Sequence, residues 1–227
     1  MAKLNRSSNA IKNAAIFAGL SPDQFDLVVN HATLKQLPPG VVLFRQGEPA
    51  KEMFLLEQGR VRMYEVTAHG RELLIRFVRP LEIFGDKAVI RGSEYGAFAE
   101  SQTSVRAYVW TTDSMAVLLE QVPQIATNLF IVATQYLHYS RQRYRMLAAA
   151  SAKNRIRWAL TELARNFGCA QPNSTAITGR SVQRDIADLS MTTIYTVSRV
   201  LRGYEQKGIL SRKRGRIVLS TASDKVS

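Results

Sequence analysis

The alternation of hydrophobic and polar positions divides the chain into a strand-rich part and a helical part. Short apolar runs fill the stretch from Thr33 to Trp110, and turn residues such as Pro38-Pro39-Gly40 separate them. The runs are TLKQL, VVLF, MFLLEQ, RVRMYEV, ELLIRFV and SVRAYVW. Runs of this length between turns predict an all-β barrel or roll. One or two short helices are predicted before it, between Ile11 and Asn30, with Ser21 as an N-cap.

A helical pattern begins after Thr112, with a short helix from Asp113 to Glu120 and a long helix from about Pro123. The long helix carries a heptad seam, spaced alternately by four and three residues, through Ile125, Leu129, Val132, Tyr136, Tyr139, Arg143, Met146 and Ala150. A second stripe with the same spacing runs through Phe130, Ala133, Leu137, Ser140, Tyr144 and Leu147. Two apolar faces indicate that one packs on the β-roll and the other meets a second copy of the helix. The alternative is a helix buried in the core of its own domain.

A further amphipathic helix is predicted from Ala152 to Phe167, closed by Gly168. The segment CAQPNSTAITG connects it to the stretch from Ser181 to Leu219, which reads as two short helices, a turn and a basic hairpin. Thr193 is the expected N-cap of the second helix, and Gly208 its stop.

The two short helices each have one apolar face. The inner side of the first is formed by Ile186, Ala187 and Leu189, and that of the second by Val197, Val200, Leu201 and Tyr204. The opposite face of the second helix offers Tyr195, Ser198, Arg199 and Arg202, which can reach base edges and phosphates. A helix-turn-helix with a basic wing is the interpretation, and a small helical domain with solvated charges is the alternative.

Composition and charge favour a nucleic-acid partner. The 227 residues are 46% hydrophobic and carry a formal net charge of +13, which predicts packed domains and an anionic partner, either nucleic acid or an anionic membrane. Nine Lys and Arg against three acids lie between Arg180 and Arg216, so the charge is concentrated on the predicted reading module. On a membrane-surface protein it is expected along an amphipathic helix instead.

The chain contains one cysteine, Cys169, and no apolar run of the roughly 18 residues that a spanning helix needs. Its first twenty residues lack the continuous apolar core of a signal peptide. We therefore expect a protein of the reducing cytoplasm, without a membrane partner.

The order of these elements, together with three motifs, resembles the CRP/FNR superfamily of bacterial transcription regulators. The motifs are FRQGEPA at 44–50, IFGD at 83–86, and RDIAD, TIYTVSR and YEQKGIL in the C-terminal part. The resemblance implies an α+β protein with a cyclic-nucleotide-binding-like β-roll in residues 1–122, a central dimerisation helix in 123–150 and a winged helix-turn-helix in 151–227. It also implies a homodimer whose two recognition helices enter successive major grooves of a palindromic site. A family member that activates transcription would also contact RNA polymerase.

The resemblance places Ile194, Tyr195, Ser198 and Arg199 where the family reads bases. From the polar and basic side chains of the same module we expect phosphate contacts by Thr193, Arg180, Arg184, Arg202, Arg212, Lys213, Arg214 and Arg216. From the heptad seam we expect a dimer interface of Leu129, Val132, Tyr136, Tyr139, Arg143 and Met146. The nitrate-type branch carries Glu, Ser and Arg where this chain has Tyr195, Ser198 and Arg199, so the half-site is expected to differ where the glutamate would act. Ser190-Met191 stands where a glycine is common in the turn.

The effector pocket departs further from the family pattern. Its candidate residues are Gly85, Asp86, Tyr95, Gly96, Ala97, Tyr136 and Ser140. Tyr95 stands where cyclic-nucleotide binders carry the arginine that neutralises the phosphate, and Arg91 would need a different loop path to replace it. A buried phosphate without its guanidinium is costly. Cyclic AMP is therefore not the expected effector.

Other effectors and functions are weighed by the residues they require. An iron–sulfur cluster needs several cysteines, and haem would have only His31, His69 or His138, each better explained as an ordinary histidine. A small anion such as a keto acid, or no ligand at all, is the open alternative for the effector. A cyclic-nucleotide-responsive regulator or a ligand-independent regulator of the same family is the alternative function. A cupin-like metal enzyme needs clustered histidines and an acid, so neither a metal site nor an enzyme is expected.

Overall fold

The computed structural model describes residues 10–70, 72–178, 182–213 and 215–220, in two compact units, Met1–His138 and Tyr139–Ser227. Its α-helices are α1 (Pro22–Asn30), α2 (Thr112–Gln121), α3 (Gln124–Ala149), α4 (Ala152–Phe167), α5 (Val182–Ser190) and α6 (Ile194–Gln206). Short 3-10 helices span Ala15–Phe17 and Asp86–Val89.

The strands of the first unit are β1 (Thr33–Leu37), β2 (Val42–Phe44), β3 (Glu52–Gln58), β4 (Val61–Val66), β5 (Glu72–Val78), β6 (Ile83–Phe84), β7 (Phe98–Ser101) and β8 (Val105–Thr111). Those of the second unit are β9 (Gly168–Gln171), β10 (Ser174–Thr178), β11 (Leu210–Lys213) and β12 (Arg216–Ser220). The α+β class with an N-terminal β-roll is confirmed, and all six predicted runs form strands.

The roll consists of two four-stranded antiparallel sheets, with strand orders β1-β8-β3-β6 and β2-β7-β4-β5. The core contains fully buried Leu55, Leu56, Phe84, Tyr108 and Trp110. Burial of such large apolar side chains supplies most of the driving force for folding.

Two strands of the roll, β6 and β7, lie outside the predicted runs. Strand β6 has two residues, too few to show an alternation. In β7 the buried positions are Ala99 and Ser101, which are small or polar, so the hydrophobic pattern is hidden. The Ser101 hydroxyl donates to the Pro38 carbonyl over 2.7 Å and accepts from the Val41 amide over 2.9 Å, which satisfies it inside the sheet.

Hydrogen bonds join α1 to the roll and α3 to the N-terminal segment before α1. Ser21 and Gln24 form the predicted capping box at the start of α1. The Trp110 indole donates to the Val28 carbonyl over 2.8 Å. The Asn128 amide of α3 donates to the carbonyls of Ile16, over 2.8 Å, and Ala18, over 2.9 Å. These bonds position the first half of α3 on its own unit.

In the second unit, helices α4, α5 and α6 accompany a four-stranded antiparallel sheet of order β11-β12-β10-β9. The segment after α4 is therefore a hairpin that extends the sheet of the wing. Gly168 ends α4 in an extended conformation, with φ of −74°. A Cβ there would overlap the Ala164 carbonyl and the Thr175 methyl, so glycine is required by this close approach.

No single described helix has both the length and the apolar character of a membrane span. Only α2 and α3 together reach those limits, and the pair is bent by 115°.

Candidate nucleic-acid interface and ligand cavity

The turn between α5 and α6 is held by side-chain hydrogen bonds. The buried Ser190 hydroxyl donates to the Ile186 carbonyl over 2.6 Å and lies 3.0 Å from the Thr192 hydroxyl. Met191 takes a left-handed conformation, with φ of 48°, at the position where a glycine is common in the family. Thr193 is the N-cap of α6, as predicted, and its hydroxyl accepts from the Thr196 amide over 3.1 Å. The turn is well ordered by polar contacts but contains one strained residue.

Helix α6 has a buried face and an exposed face. Val197, Leu201 and Tyr204 are buried, and α6 packs against α5, whose inner residues Ile186, Ala187 and Leu189 are buried too. Of the predicted base-reading residues, Ile194, Tyr195 and Arg199 are exposed and Ser198 is half-buried. The helical period therefore places Tyr195 and Arg199 on the side away from the core, with Ile194 and Ser198 at its edge.

The predicted phosphate-contacting cations of the described chain belong to α5, α6 and the two strands of the wing. Four of these cations are exposed and form no ion pair among the described residues: Arg184, Arg199, Lys213 and Arg216. Arg202 is exposed as well. Arg180 and Arg214 lie outside the described residues. The unpaired cations of the described part leave this surface positively charged and open to an anionic partner.

Arg212 differs from the other cations because Glu205 holds it. Its Nε and Nη2 donate to one carboxylate oxygen over 3.0 and 2.8 Å, and its backbone amide donates to the other over 2.9 Å. These bonds hold the pKa of Glu205 below its usual range. Arg212 thus ties the wing strand β11 to the end of α6, where Gly208 turns the chain with φ of 68°.

The first unit contains a cavity of about 340 Å³ between the roll and the first half of α3. It brings together most of the predicted effector residues, namely Gly85, Asp86, Tyr95, Gly96, Ala97 and Tyr136. Ser140 is not among its lining residues. The lining residues that sequence reasoning missed are Phe44, Met63, Glu65, Ile75, Arg76, Ile83, Lys87, Leu129, Val132 and Ala133.

Tyr95 fills one wall of the cavity and turns its hydroxyl away from it. Its ring stacks on Phe44 with centroids 3.9 Å apart. The hydroxyl donates to the Glu52 carbonyl over 2.8 Å and accepts from the Glu52 amide over 2.9 Å. Burial raises the pKa of Tyr95. The position that holds an arginine in cyclic-nucleotide binders therefore holds a neutral ring whose polar atom is already satisfied.

The motif IFGD shapes the neighbouring wall. Gly85 has φ of 69°, and a Cβ there would lie 2.9 Å from the Glu52 carbonyl oxygen and 3.2 Å from the rings of Phe44 and Phe54. Only glycine combines this conformation with this close approach. The turn places Asp86 and Lys87 at the cavity.

Two cations line the cavity, and they differ in their partners. Arg76 donates to Glu82 and to the Ile83 carbonyl, each over 2.9 Å, and its guanidinium carbon lies 5.2 Å from the centre of the Tyr136 ring. Lys87 is exposed and its amine has no partner among the described residues. Lys87 directly follows the IFGD motif, so its place in the cavity could have been predicted from the sequence. The place of Arg76 could not, because it depends on the pairing of distant strands.

The remaining candidates lie away from the cavity. Arg91 pairs with Asp113 over 3.4 Å at the surface, so it does not replace the missing arginine. His31 bonds to the Leu27 carbonyl, His69 lies in the turn between β4 and β5, and His138 is exposed on α3. Within the described ranges no three His, Cys, Asp or Glu side chains are grouped to hold a metal ion.

Helix α3 presents its two predicted stripes differently. Leu129 and Val132 of the first stripe pack against the core of their own roll, and Tyr136 lines the cavity. Phe130 and Leu137 of the second stripe are 69% and 50% exposed. Farther along, Tyr139, Arg143 and Met146 are half-buried in the second unit, while Tyr144 is 74% exposed. Of the residues predicted for the dimer interface, Leu129 and Val132 therefore pack within their own unit, whereas Tyr136 keeps 40% of its surface exposed.

Comparison with known proteins agrees with this architecture. The cyclic nucleotide-binding domain model matches residues 34–122. The chain is 24% identical over 213 residues to the cyclic AMP receptor protein of Thermus thermophilus, covering 94% of this chain and 95% of that protein. A CRP/FNR-family transcriptional regulator from the same organism has a solved structure with 25% identity and a TM-score of 0.70, over 82% of this chain and 93% of that one. These matches support membership of the CRP/FNR superfamily.

The CRP/FNR fold is also shared with the regulator CLP of Xanthomonas campestris, described as responsive to c-di-GMP. Its structure matches with a TM-score of 0.76 at 18% identity, covering 88% of this chain and 99% of that one. The comparisons confirm the resemblance inferred from FRQGEPA, IFGD and the helix-turn-helix.

Proposed function

We propose that this protein is a homodimeric, sequence-specific DNA-binding transcription regulator that reads a palindromic site and responds to a signal at its β-roll. The observation that carries the proposal is the outward face of α6, with Tyr195 and Arg199 exposed and unpaired cations beside them. Recognition helices of helix-turn-helix proteins contact base edges with their N-terminal residues. The CRP/FNR relatives are transcription regulators, which supports the same class for this chain.

The roles of individual residues follow from their chemistry. Arg199 has a guanidinium that can bond a guanine edge through two hydrogen bonds, and Ser198 can donate or accept beside it. Thr193, Arg184, Arg202, Lys213 and Arg216 are suited to phosphates, which position the protein without carrying sequence information. Arg180 and Arg214 belong to the same set as predictions from the sequence.

The homodimer is proposed to form along α3 through the exposed stripe that begins at Phe130 and Leu137. Seven residues separate the two side chains, which is the spacing of a coiled-coil seam. Leu129 and Val132 lie against their own core instead and are available to a second copy only in part. A dimer of this kind presents two recognition helices to half-sites about one helical turn of DNA apart.

The signal is proposed to be something other than cyclic AMP. Tyr95 stands in place of the phosphate-binding arginine, and its hydroxyl is hydrogen-bonded to the backbone of Glu52. The guanidinium of Arg76 is already paired with Glu82. A small anion or a ligand-independent regulator remains compatible with the cavity, in which Lys87 is the cation without a partner among the described residues. Contact with RNA polymerase follows only if the protein activates transcription.

Selection of duplexes from a random pool by the full-length protein tests the proposal. We expect a palindromic consensus, with an affinity that falls steeply with salt because bound phosphates release counterions. Arg199→Ala should abolish the preference for the consensus over random duplex while retaining most non-specific binding. Arg91→Ala removes one charge on the roll and serves as the matched control. Equal losses of Arg199→Ala on consensus and random duplexes would overturn the reading role, and the absence of any selected consensus would overturn the proposed function.

A further inference from the structure

We infer that Ile194 and Tyr195 form an apolar reading site for thymine, which recognises the 5-methyl group in the major groove. The inference rests on the proposed function and names the base chemistry of the α6 surface. It concerns two residues at the first turn of α6, one helical turn before Ser198 and Arg199.

Both side chains are exposed at the start of α6. Tyr195 is 76% exposed and Ile194 is 46% exposed, although they stand side by side on a helix whose other large apolar residues are mostly buried. The Tyr195 hydroxyl makes no hydrogen bond within the described part of the chain. Exposed apolar side chains grouped at one end of a helix, with polar side chains around them, mark an interaction surface.

Charge decides which partner fits this surface. Arg184, Arg199 and Arg202 are exposed, and no acidic side chain lies in the first turn of α6. A polyanion is therefore favoured over an apolar protein or a lipid chain. In duplex DNA the apolar feature of the major groove is the thymine methyl group, which isoleucine and aromatic side chains can contact.

The spacing on the helix predicts where the thymine lies. Tyr195 and Arg199 are four residues apart, which corresponds to about 6 Å along the helix axis. A base pair rises about 3.4 Å along DNA. Thymine is therefore expected about two base pairs from the guanine that Arg199 reads. Tyr195 stands where the nitrate-type branch carries glutamate. The base read at this position is expected to differ, because a phenol does not present the two acceptor oxygens of a carboxylate to cytosine.

Replacement of thymine by deoxyuridine in the selected half-site tests the inference, because it removes only the methyl group. Fluorescence anisotropy with the full-length protein should show about fourfold weaker binding for each methyl that is read, as expected for one buried methylene-sized group. Ile194→Ala/Tyr195→Ala should bind the thymine duplex more weakly and should no longer distinguish thymine from deoxyuridine. Met191→Ala truncates an exposed apolar side chain of the turn outside the proposed site, so it should keep the distinction.

Three outcomes would overturn the inference. The first is equal affinity of the parent protein for thymine and deoxyuridine at every half-site position, which leaves the proposed function intact and assigns the two side chains to another partner. The second is a distinction that persists in the double variant, which places the reading elsewhere. The third is the absence of specific duplex binding, which overturns the proposed function as well. Circular dichroism of the double variant, whose changes are at the surface, checks that it is folded.

Discussion

The Tyr95 hydroxyl donates to the carbonyl of Glu52 over 2.8 Å and accepts from the amide of the same residue over 2.9 Å. One side chain thus satisfies both backbone groups of a residue 43 positions away. The contact joins the segment before β7 to strand β3 and closes one wall of the cavity. It links the stability of the roll to the chemistry of its ligand site.

Tyr95→Phe is expected to lower the free energy of unfolding by about 1–2 kcal/mol, because it leaves the Glu52 amide and carbonyl without this partner. Urea unfolding measures the change, and Tyr144→Phe, on an exposed ring, is the control. Burial raises the pKa of Tyr95 above its unfolded value near 10. Its contribution is therefore complete below about pH 10 and is lost as the pH rises through the raised pKa. An unchanged stability of Tyr95→Phe would contradict the role of the contact.

Cyclic AMP and cyclic GMP are expected to give no saturable heat in calorimetric titration of the purified protein. The cyclic phosphate would lie against the stacked rings of Tyr95 and Phe44, and the guanidinium of Arg76 in the cavity is already paired with Glu82. Micromolar binding of either nucleotide would show that Arg76 or Lys87 takes over the role of the missing arginine.

Leu137→Asp is expected to convert the proposed dimer into monomer while leaving the stability of the roll nearly unchanged, because Leu137 is half exposed on the second stripe of α3. Val132→Asp is the contrasting variant. It places a charge against the core of the roll and should lower thermal stability first. Sedimentation velocity and heat unfolding separate the two effects. If the Leu137→Asp variant remains a dimer and the Val132→Asp variant dissociates without loss of stability, the interface lies on the first stripe, which contains Val132.

Met191→Gly is expected to stabilise the helix-turn-helix by about 0.5–1 kcal/mol, because glycine relieves the left-handed conformation while losing more entropy on folding. The measurement is urea unfolding, with Met191→Ala as the control because alanine keeps the Cβ that causes the strain. A destabilised Met191→Gly would show that the methionine side chain contributes packing that outweighs its φ of 48°.

Acidification is expected to release the wing through Glu205. The bonds from Arg212 depress the pKa of this carboxyl in the folded state. The stabilisation is therefore present above the unfolded pKa and is lost as the pH falls through the lowered value. Heat unfolding as a function of pH should show a weaker acid dependence in Glu205→Gln than in Glu94→Gln, which makes the same charge change on the roll. Identical acid dependence in the two variants would contradict this assignment.

The sequence predicted the reading surface more completely than the cavity. Tyr195, Ser198, Arg199 and Arg202 recur at spacings of three and four residues on one helix, so spacing alone is enough to place them on a common face. The cavity instead combines β-strands, a turn and α3. Gly85 and Asp86 were found because they form a local motif, whereas the place of Arg76 depends on strand pairing and its contact with Glu82.

The sequence by itself determined the helices, the N-caps Ser21 and Thr193 and most strands, because capping bonds and the helical and strand periods act over a few residues. It also determined the charge of the reading module. Only the tertiary structure decided which stripe of α3 is left exposed and that the Tyr95 hydroxyl turns toward Glu52 rather than into the cavity. These features depend on contacts between residues far apart in the chain, and the packing of the whole core selects them.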